Sequence, residues 1–549
     1  MQTWRRTFVT SLARLNHRPP AATSPTLLRC AQVLQNSQQK PCSLEDQEIK
    51  LHGSIRSVRK QKRFAFAEIS DGSAVEAVQT ILKPAQAAEY VTSCAGFSTT
   101  LSNGFSYHRL STGTAIEISG IWKACPPGKE QSHELQATAV NVVGRADPET
   151  YPIQKKYHSP EFLRQLPHLR FRTPLNALLA RFRSECLYQL GNVFRSAPNG
   201  GFIQVQPPVI TSSDCEGAGE TFAVVPRETL ATGLPDEEHD HFFRAPKYLS
   251  VSSQLHLEAY AAELGNVWTL SPMFRAEKSD TPRHLSEFYM LEAEVNFLSD
   301  LEALTDVVEH LLRDLTRRLY ETPAGQEILS IKREASPDSP EADAVDLRQR
   351  WLDLMDGPKW RRMTYTDAIA ALQEAVSQGK ATLEYAPTWA GGLQLEHERY
   401  IVDTINNGQP VFVTDYPKAI KPFYMAPSQN ARSTESESET VGCFDLLLPE
   451  VSEVAGGSLR EHRLPELIQN MREHGLIKAC EDAGATTYPH LRPGEDLSHL
   501  QWYADLRRWG TAPHGGFGVG FDRFLGYLTG VSSIRDTVAF PRYFGRADC

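Results

Sequence analysis

Residues 274–294, FRAEKSDTPRHLSEFYMLEAE, place two arginines, a histidine, four glutamates and a Phe-Tyr pair around a Ser-Asp-Thr-Pro turn. A buried strand does not tolerate that charge density, and a solvated loop has no use for the aromatic pair. Arg275 and Glu277 lie two apart, so on an extended strand they share a face. Arg283 and His284 follow the turn, and Phe288 sits on the returning strand. A nucleoside triphosphate would use each group: guanidinium for phosphate oxygens, carboxylate for the adenine amino group, aromatic face for the base. A charged hairpin alone is more often a solvated face, so this chemistry needs a second element.

The second element is HGGFGVGFDRFLGYLTGVSSIRD, residues 514–536, which reads as a Gly-rich strand running directly into a helix. Glycines 515, 516, 518 and 520 allow another backbone or a ligand to approach closely. Arg523 stands where strand becomes helix, and its guanidinium plane can cover an adenine from the side opposite Phe288. The string has neither the strand-turn-helix context of a dinucleotide site nor a Walker lysine.

These segments must be carried by a scaffold of 549 residues, which is too long for one ordinary core. The apolar fraction of 41%, the charged fraction of 23% and the net charge of −10 describe a globular chain with no global basic field. Binding of nucleic acid must therefore come from a local patch. No apolar run reaches the length of a membrane span, and no membrane association is expected. Nine cysteines form no CxxC pair, which argues against a disulfide framework or a zinc ribbon.

Residues 1–44 contain no acid, while Arg5, Arg6, Arg14, Arg18 and Arg29 punctuate them. Trp4, Phe8, Leu12 and Leu15 would share one helical face. That composition predicts a mitochondrial transit peptide over residues 1–40, outside the fold, and a mitochondrial matrix location. Five short alternating runs between residues 41 and 144 predict a small β-barrel, with an OB-fold foremost. Residues 145–170 are rich in Pro and charge and read as a hinge. Residues 171–549 read as an α+β domain. It opens on an amphipathic helix (Leu175, Leu178, Leu179, Phe182, Cys186, Leu190, Val193), and LEALTDVVEHLLRDLTRRLY is a second helix.

In the barrel region, residues 50–66 hold six cations and no acid, Arg56 among them, and Phe64 and Phe66 follow at strand spacing. Cations beside a stacking aromatic suit single-stranded RNA, although one of the two, Phe64, could instead be barrel core.

Taken in order, these motifs resemble the class II aminoacyl-tRNA synthetases. FRAEKSDTPRHLSEFYMLEAE resembles motif 2, and GGFGVGFDRFLGYLTGVSSIRDTVAFPR resembles motif 3. GFIQVQPPVITSSDCEGAGETF resembles motif 1, with Pro208 as its interface proline. The resemblance covers about residues 48–546 and is to the aspartyl/asparaginyl/lysyl branch, nearest its asparaginyl members. It implies an N-terminal OB-fold anticodon-binding domain, a class II antiparallel-sheet catalytic domain, and a homodimer through motif 1. It also implies ATP as substrate, Mg²⁺, and ligation of asparagine to tRNA(Asn) through an adenylate.

By the same resemblance, Arg275 and Arg523 are the catalytic residues. ATP would be held by Arg275, Glu277, Arg283, His284, Leu285, Phe288, Glu453, Gly456, Gly520, Asp522 and Arg523. Asp445 and Glu453 would stand near Mg²⁺. Motif 3 ordinarily reads Glu-Arg where this chain has Asp522-Arg523, and the shorter acid departs from it. Glu216 would hold the amino acid's α-amino group, and Arg460 would reach its side chain. Aspartyl members carry a lysine in the segment corresponding to SSQLHLEAY; here Gln254, Leu257 and Glu258 stand instead. Glu258 would then accept from an amide and repel a carboxylate. Phe66 would stack on the middle anticodon base, with Gln79 as a base reader. The alternatives are an aspartyl enzyme, or a synthetase-like RNA-binding protein that has lost catalysis.

Overall fold

The structure is a computed structural model describing residues 26–39, 41–61, 64–83, 110–129, 131–198, 200–212, 221–229, 241–298, 300–331, 346–429, 439–479 and 488–549. The chain forms two compact units, residues 1–156 and 157–549.

In the first unit, strands β1 (Thr26–Leu28), β2 (Glu48–Lys60), β3 (Ala65–Ser70), β4 (Val78–Leu82), β5 (Ala115–Ala124) and β6 (His133–Gly144) form one sheet. Pairing runs β2–β3–β4–β6–β5 and returns from β5 to β2, closing a five-stranded barrel. Closure follows from the alternation. On β3, Ala65, Ala67 and Ile69 point inward, as do Val78, Thr80 and Leu82 on β4. Trp122 is fully buried and donates from Nε1 to Ser37 Oγ at 3.2 Å.

Part of the segment expected to lie outside the fold is packed within it. Residues 26–37 are part of the barrel: β1 pairs in parallel with β2, and Cys30 and Val33 of helix Cys30–Ser37 are buried in its core. The expected hinge also changes at its far end. Ser159 caps the short helix Pro160–Arg164, and Arg170, 1% exposed, donates to the carbonyls of Arg535, Asp536 and Val538. Residues 159–170 are therefore built into the second unit.

The second unit continues with β7 (Ile203–Gln204) and a ribbon of β8 (Ile210–Thr211) with β9 (Tyr248–Leu249). Then come β10 (Val267–Phe274), β11 (Glu287–Asn296), β12 (Arg361–Thr364), β13 (Val411–Pro417), β14 (Thr440–Leu448) and β15 (Ser452–Leu459). A second ribbon, β16 (Lys478–Ala479) with β17 (Glu495–Asp496), precedes β18 (His514–Gly520). Eight of these make one sheet, ordered β12-β13-β14-β15-β18-β11-β10-β7 and antiparallel except at its two ends. The stretch 241–253 is strand only at Tyr248–Leu249, because Pro246 and the turns before it interrupt the ladder.

The two predicted amphipathic helices form over Pro174–Ser196 and Leu301–Tyr320. The latter is started by Asp300, which accepts from the Ala303 N–H at 2.7 Å. In the described part of the segment around 320–360, helix Leu347–Asp356 packs against the end of the chain. Arg350 and Trp351 donate to the carbonyls of Tyr527 and Leu528, satisfying the last turn of helix Phe521–Thr529. That helix stops at Gly530, whose φ of 62° suits a residue without a β-carbon.

Candidate active site

The adjacent strands β15, β18, β11 and β10 bring both chemical segments to one end of the sheet. β11 pairs with β10 on one side (Phe288 opposite Met273) and with β18 on the other (Met290 opposite Gly520). Arg275 and Arg523 thus emerge from strands that flank β11. Arg275 lies 5.6 Å from the Phe288 ring centre and 3.9 Å from Glu277. His284 sits 3.6 Å from Glu277, with its other nitrogen 2.6 Å from Thr281 Oγ1. Burial holds its imidazole below the ordinary range, partly offset by Glu277. Leu285 is buried behind them. Arg283 donates to the Val451 carbonyl at 2.7 Å, and its pKa is lowered by burial and then by Arg523. Two guanidinium groups that disfavour each other's charge are stabilised by an anion beside them.

Arg523 donates to the Glu453 carbonyl at 2.8 Å and lies 3.7 Å from the Glu453 carboxylate. Gly456 sits between the expected metal ligands: a β-carbon there would lie 3.2 Å from Asp445 Oδ1 and 3.7 Å from Glu453 Oε1. A third acid, absent from the sequence reading, joins them. Glu398 accepts from the Glu453 N–H at 3.4 Å, and its carboxyl is raised to about 7 by burial and then by Glu453 and Asp445. Asp445 is additionally paired with Lys421 at 3.0 Å. Acids gathered at this end of the sheet, Asp445 and Glu453 on either side of Gly456 with Glu398 beside them, offer the oxygen ligands that a hard cation takes. Gly520 leaves room of the same kind beside Arg523, whose Cδ would be 3.7 Å from a β-carbon.

Asp522 does not fit the expected contact with ATP. It is 3% exposed and accepts from Arg183 Nη1 at 2.5 Å, the Tyr289 N–H at 3.0 Å and Thr537 Oγ1 at 3.4 Å. Arg183 also covers the rings of Tyr289 and Phe521 at 5.1 and 5.0 Å. The shorter acid therefore clamps the motif 3 helix to helix Pro174–Ser196 and to β11. Sequence offered no sign of the partner, 339 residues away.

The expected amino-acid pocket holds a buried ionic cluster. Glu258, 2% exposed, accepts from Gln254 Nε2 (3.1 Å), Tyr503 Oη (2.9 Å) and Arg507 Nη2 (2.5 Å), and His514 Nε2 lies 3.0 Å away. Burial opposes its charge, but Arg507, His514 and Arg460 hold the carboxyl well below the usual range. Arg460 grips Glu294 through Nε and Nη2, both at 3.1 Å, and donates from Nη1 to Ser458 at 2.8 Å. Gly516 makes room for that pair. Two expectations change accordingly. Both Glu258 oxygens are engaged within the protein, so it is not a free acceptor for a substrate amide. Arg460 has three of its five N–H donors committed, leaving two for a ligand. Glu258, Glu294 and His514 offer ligand atoms within 4.8 Å of one another, but the charges already opposite them are guanidinium groups. Glu216 lies outside the described residues.

On the barrel, Phe64 and Phe66 both face outward because Ala65 and Ala67 fill the interior positions. Arg59 covers Phe66 at 5.7 Å. Gln79 stands opposite Glu68 on the neighbouring strand and donates to Glu134 at 3.0 Å. Arg56 is turned onto the Val75 carbonyl at 2.6 Å. Among the described residues no helix is long and apolar enough to cross a membrane.

The model of the class II tRNA synthetases (D, K and N) matches residues 159–543. The chain belongs to that family. This synthetase is 38% identical to the mitochondrial asparagine–tRNA ligase of Schizosaccharomyces pombe, with 90% of the chain and 94% of that relative covered. It is 34% identical to the asparaginyl-tRNA synthetase of Homo sapiens, over 98% and 96%. Among solved structures it is similar to the asparaginyl-tRNA synthetase of Pyrococcus horikoshii complexed with asparaginyl-adenylate. The TM-score is 0.70 at 26% identity, covering 94% of this chain and 98% of that one.

Proposed function

We infer that this synthetase ligates asparagine to tRNA(Asn) through an asparaginyl-adenylate. The observation that carries the reading is the segment 252–260. It supplies Gln254, Leu257 and Glu258 to the pocket region and no cation that could neutralise a substrate carboxylate. The named activities of the similar ligases support the same choice over an aspartyl enzyme. Arg275, Glu453 and Arg523, held together at one end of the sheet, argue against loss of catalysis.

The asparagine carboxylate attacks the α-phosphorus of ATP in line, forming adenylate and releasing pyrophosphate. Arg275 neutralises charge developing at the α-phosphate, while Arg283 holds the distal phosphates from the Val451 side. Phe288 and Arg523 enclose the adenine, and Glu277 accepts from its amino group. No covalent nucleophile is required: positioning and charge neutralisation carry the step. Glu453 and Asp445, with Glu398 beside them, would hold Mg²⁺, which supplies charge neutralisation across the phosphates when bound. A terminal ribose hydroxyl of the tRNA then displaces AMP.

The outward Phe66 and the Arg59 beside it supply the stacking platform for the anticodon. Leu187 and Tyr188 on helix Pro174–Ser196 and Ile203 on the terminal strand β7 are exposed, which supports an isologous homodimer through motif 1. The acid-free, arginine-bearing N-terminus and the mitochondrial yeast relatives support a mitochondrial matrix location. We place the end of the presequence before Thr26.

ATP–pyrophosphate exchange run with asparagine and with aspartate, followed by charging of tRNA(Asn), tests the reading. Exchange with asparagine alone is expected. Exchange with aspartate alone, or with neither, overturns it.

A further inference from the structure

In the pocket region the two buried guanidinium groups, Arg460 and Arg507, face two buried carboxylates, Glu294 and Glu258. Arg460 is held by Glu294 in a two-point pair. Arg507, its side chain fully buried, has Glu258 as its only carboxylate among the described residues. Its other partners among the described residues are neutral: Tyr503 Oη at 3.0 Å, the Glu461 carbonyl at 3.0 Å, and the Tyr503 ring at 4.2 Å. The Glu461 carboxylate is itself engaged by Arg463 at 2.7 and 2.9 Å. Arg507 Nη1 has no hydrogen-bond partner among the described residues. A buried guanidinium with one uncommitted nitrogen is the group in this cluster best able to accept a carboxylate, were its present anion removed.

We propose that Arg507 is a specificity-determining residue: Glu258 excludes aspartate by keeping Arg507 neutralised, rather than by touching the substrate. This rests on the asparagine reading above. The physical argument is one of pairwise balance. A substrate amide enters a site whose guanidinium groups are already matched and brings no charge. A substrate carboxylate would bring an unmatched charge into a buried region, which is costly unless a free cation meets it. Glu258 engages Arg507 from helix Gln254–Leu264, and Arg507 comes from helix Gln501–Arg508, 249 residues away. His514 also faces Glu258, with its second nitrogen on the Ala512 carbonyl at 2.8 Å, and stays the same in every variant below.

The test compares pyrophosphate exchange with asparagine and with aspartate in the full chain for Glu258→Gln and for Glu258→Gln combined with Arg507→Met. Glutamine keeps the hydrogen bonds to Tyr503 and Gln254 but leaves Arg507 unmatched. Aspartate kcat/KM relative to asparagine should then rise by about 100-fold or more, the scale set by a buried charge that lacks its partner. Removing the cation in the double variant should return the ratio to within about tenfold of the unsubstituted protein. A purely structural Arg507 would lower both activities together and leave the ratio raised.

A ratio that rises in Glu258→Gln and stays up in the double variant overturns the proposal and assigns the repulsion to Glu258 itself. An unchanged ratio in Glu258→Gln overturns it without need of the double variant. Failure of the unsubstituted protein to activate asparagine would instead overturn the functional reading, so the two failures are distinct. Should Arg507→Met not fold, Arg507→Gln in the same background removes the charge while keeping donors for Tyr503 and the Glu461 carbonyl, and is read identically.

Discussion

Gly516→Ala isolates the geometry of the buried pair without removing any charged group. Gly516 lies on β18, opposite Glu294 on β11 and Ser458 on β15. A β-carbon there would sit 1.8 Å from Glu294 Oε2 and 2.6 Å from Arg460 Nη2, against an ordinary separation of roughly 3.5 Å. The strand is hydrogen-bonded on both sides, so the backbone has little freedom to retreat. The cheapest relief is for the end of Glu294 to swing away, which breaks both 3.1 Å bonds to Arg460. Each group would then be a buried charge without its partner, a loss of about 3–5 kcal/mol. Asparagine kcat/KM should fall by about 100-fold or more, since each 1.36 kcal/mol is a decade, and the thermal midpoint should fall with it. Gly526→Ala, whose β-carbon would meet nothing nearer than 3.8 Å, is the matched control and should stay close to the unsubstituted protein. The assay is pyrophosphate exchange over an asparagine series together with a thermal melt. Unchanged kinetics and melting in Gly516→Ala would refute the argument, because they would mean that no ion pair lies over that glycine.

Arg275→Ala and Arg523→Ala should each abolish adenylate formation in a folded protein, and near-normal pyrophosphate exchange in either would remove the proposed ATP site. Arg183→Met strands the buried Asp522, so unfolding free energy should drop by about 3 kcal/mol; a denaturation midpoint equal to the unsubstituted one would show that the clamp is not structural. Phe66→Ala should weaken tRNA charging by about 1–3 kcal/mol per lost stack while leaving asparagine activation intact; equal losses in both assays would assign Phe66 to barrel integrity. In metal-free buffer the Glu398 carboxyl, raised from 4.5 to about 7, binds its proton more tightly folded than unfolded. Its contribution therefore turns unfavourable as pH rises from 4.5 and reaches its full cost, about 3 kcal/mol, above 7. Glu398→Gln should flatten that part of the stability–pH curve, and parallel curves for both proteins would contradict the assignment.

The barrel strands, the two long amphipathic helices and the Gly-rich strand were legible because their information is local. Alternation at two residues and repetition at three or four are properties of a single segment, and burial in one direction follows from them. The ATP-binding end was legible for a related reason: Arg275, Glu277, Arg283, His284 and Phe288 sit within fourteen residues on one hairpin. The packing of residues 26–37 was not legible, because an acid-free segment has the same composition whether it lies outside the fold or packs Cys30 and Val33 into a barrel. The remaining features depend on pairs that sequence cannot match. Asp522 acquires Arg183 across 339 positions, Glu258 acquires Arg507 across 249, and Glu398 meets Glu453 across 55. A charged side chain has the same formula whether it meets water, a ligand or a buried counter-charge. Chain topology alone brings the partner within hydrogen-bond reach, and with it decides that Asp522 is a clamp and that Glu258 is a counter-ion.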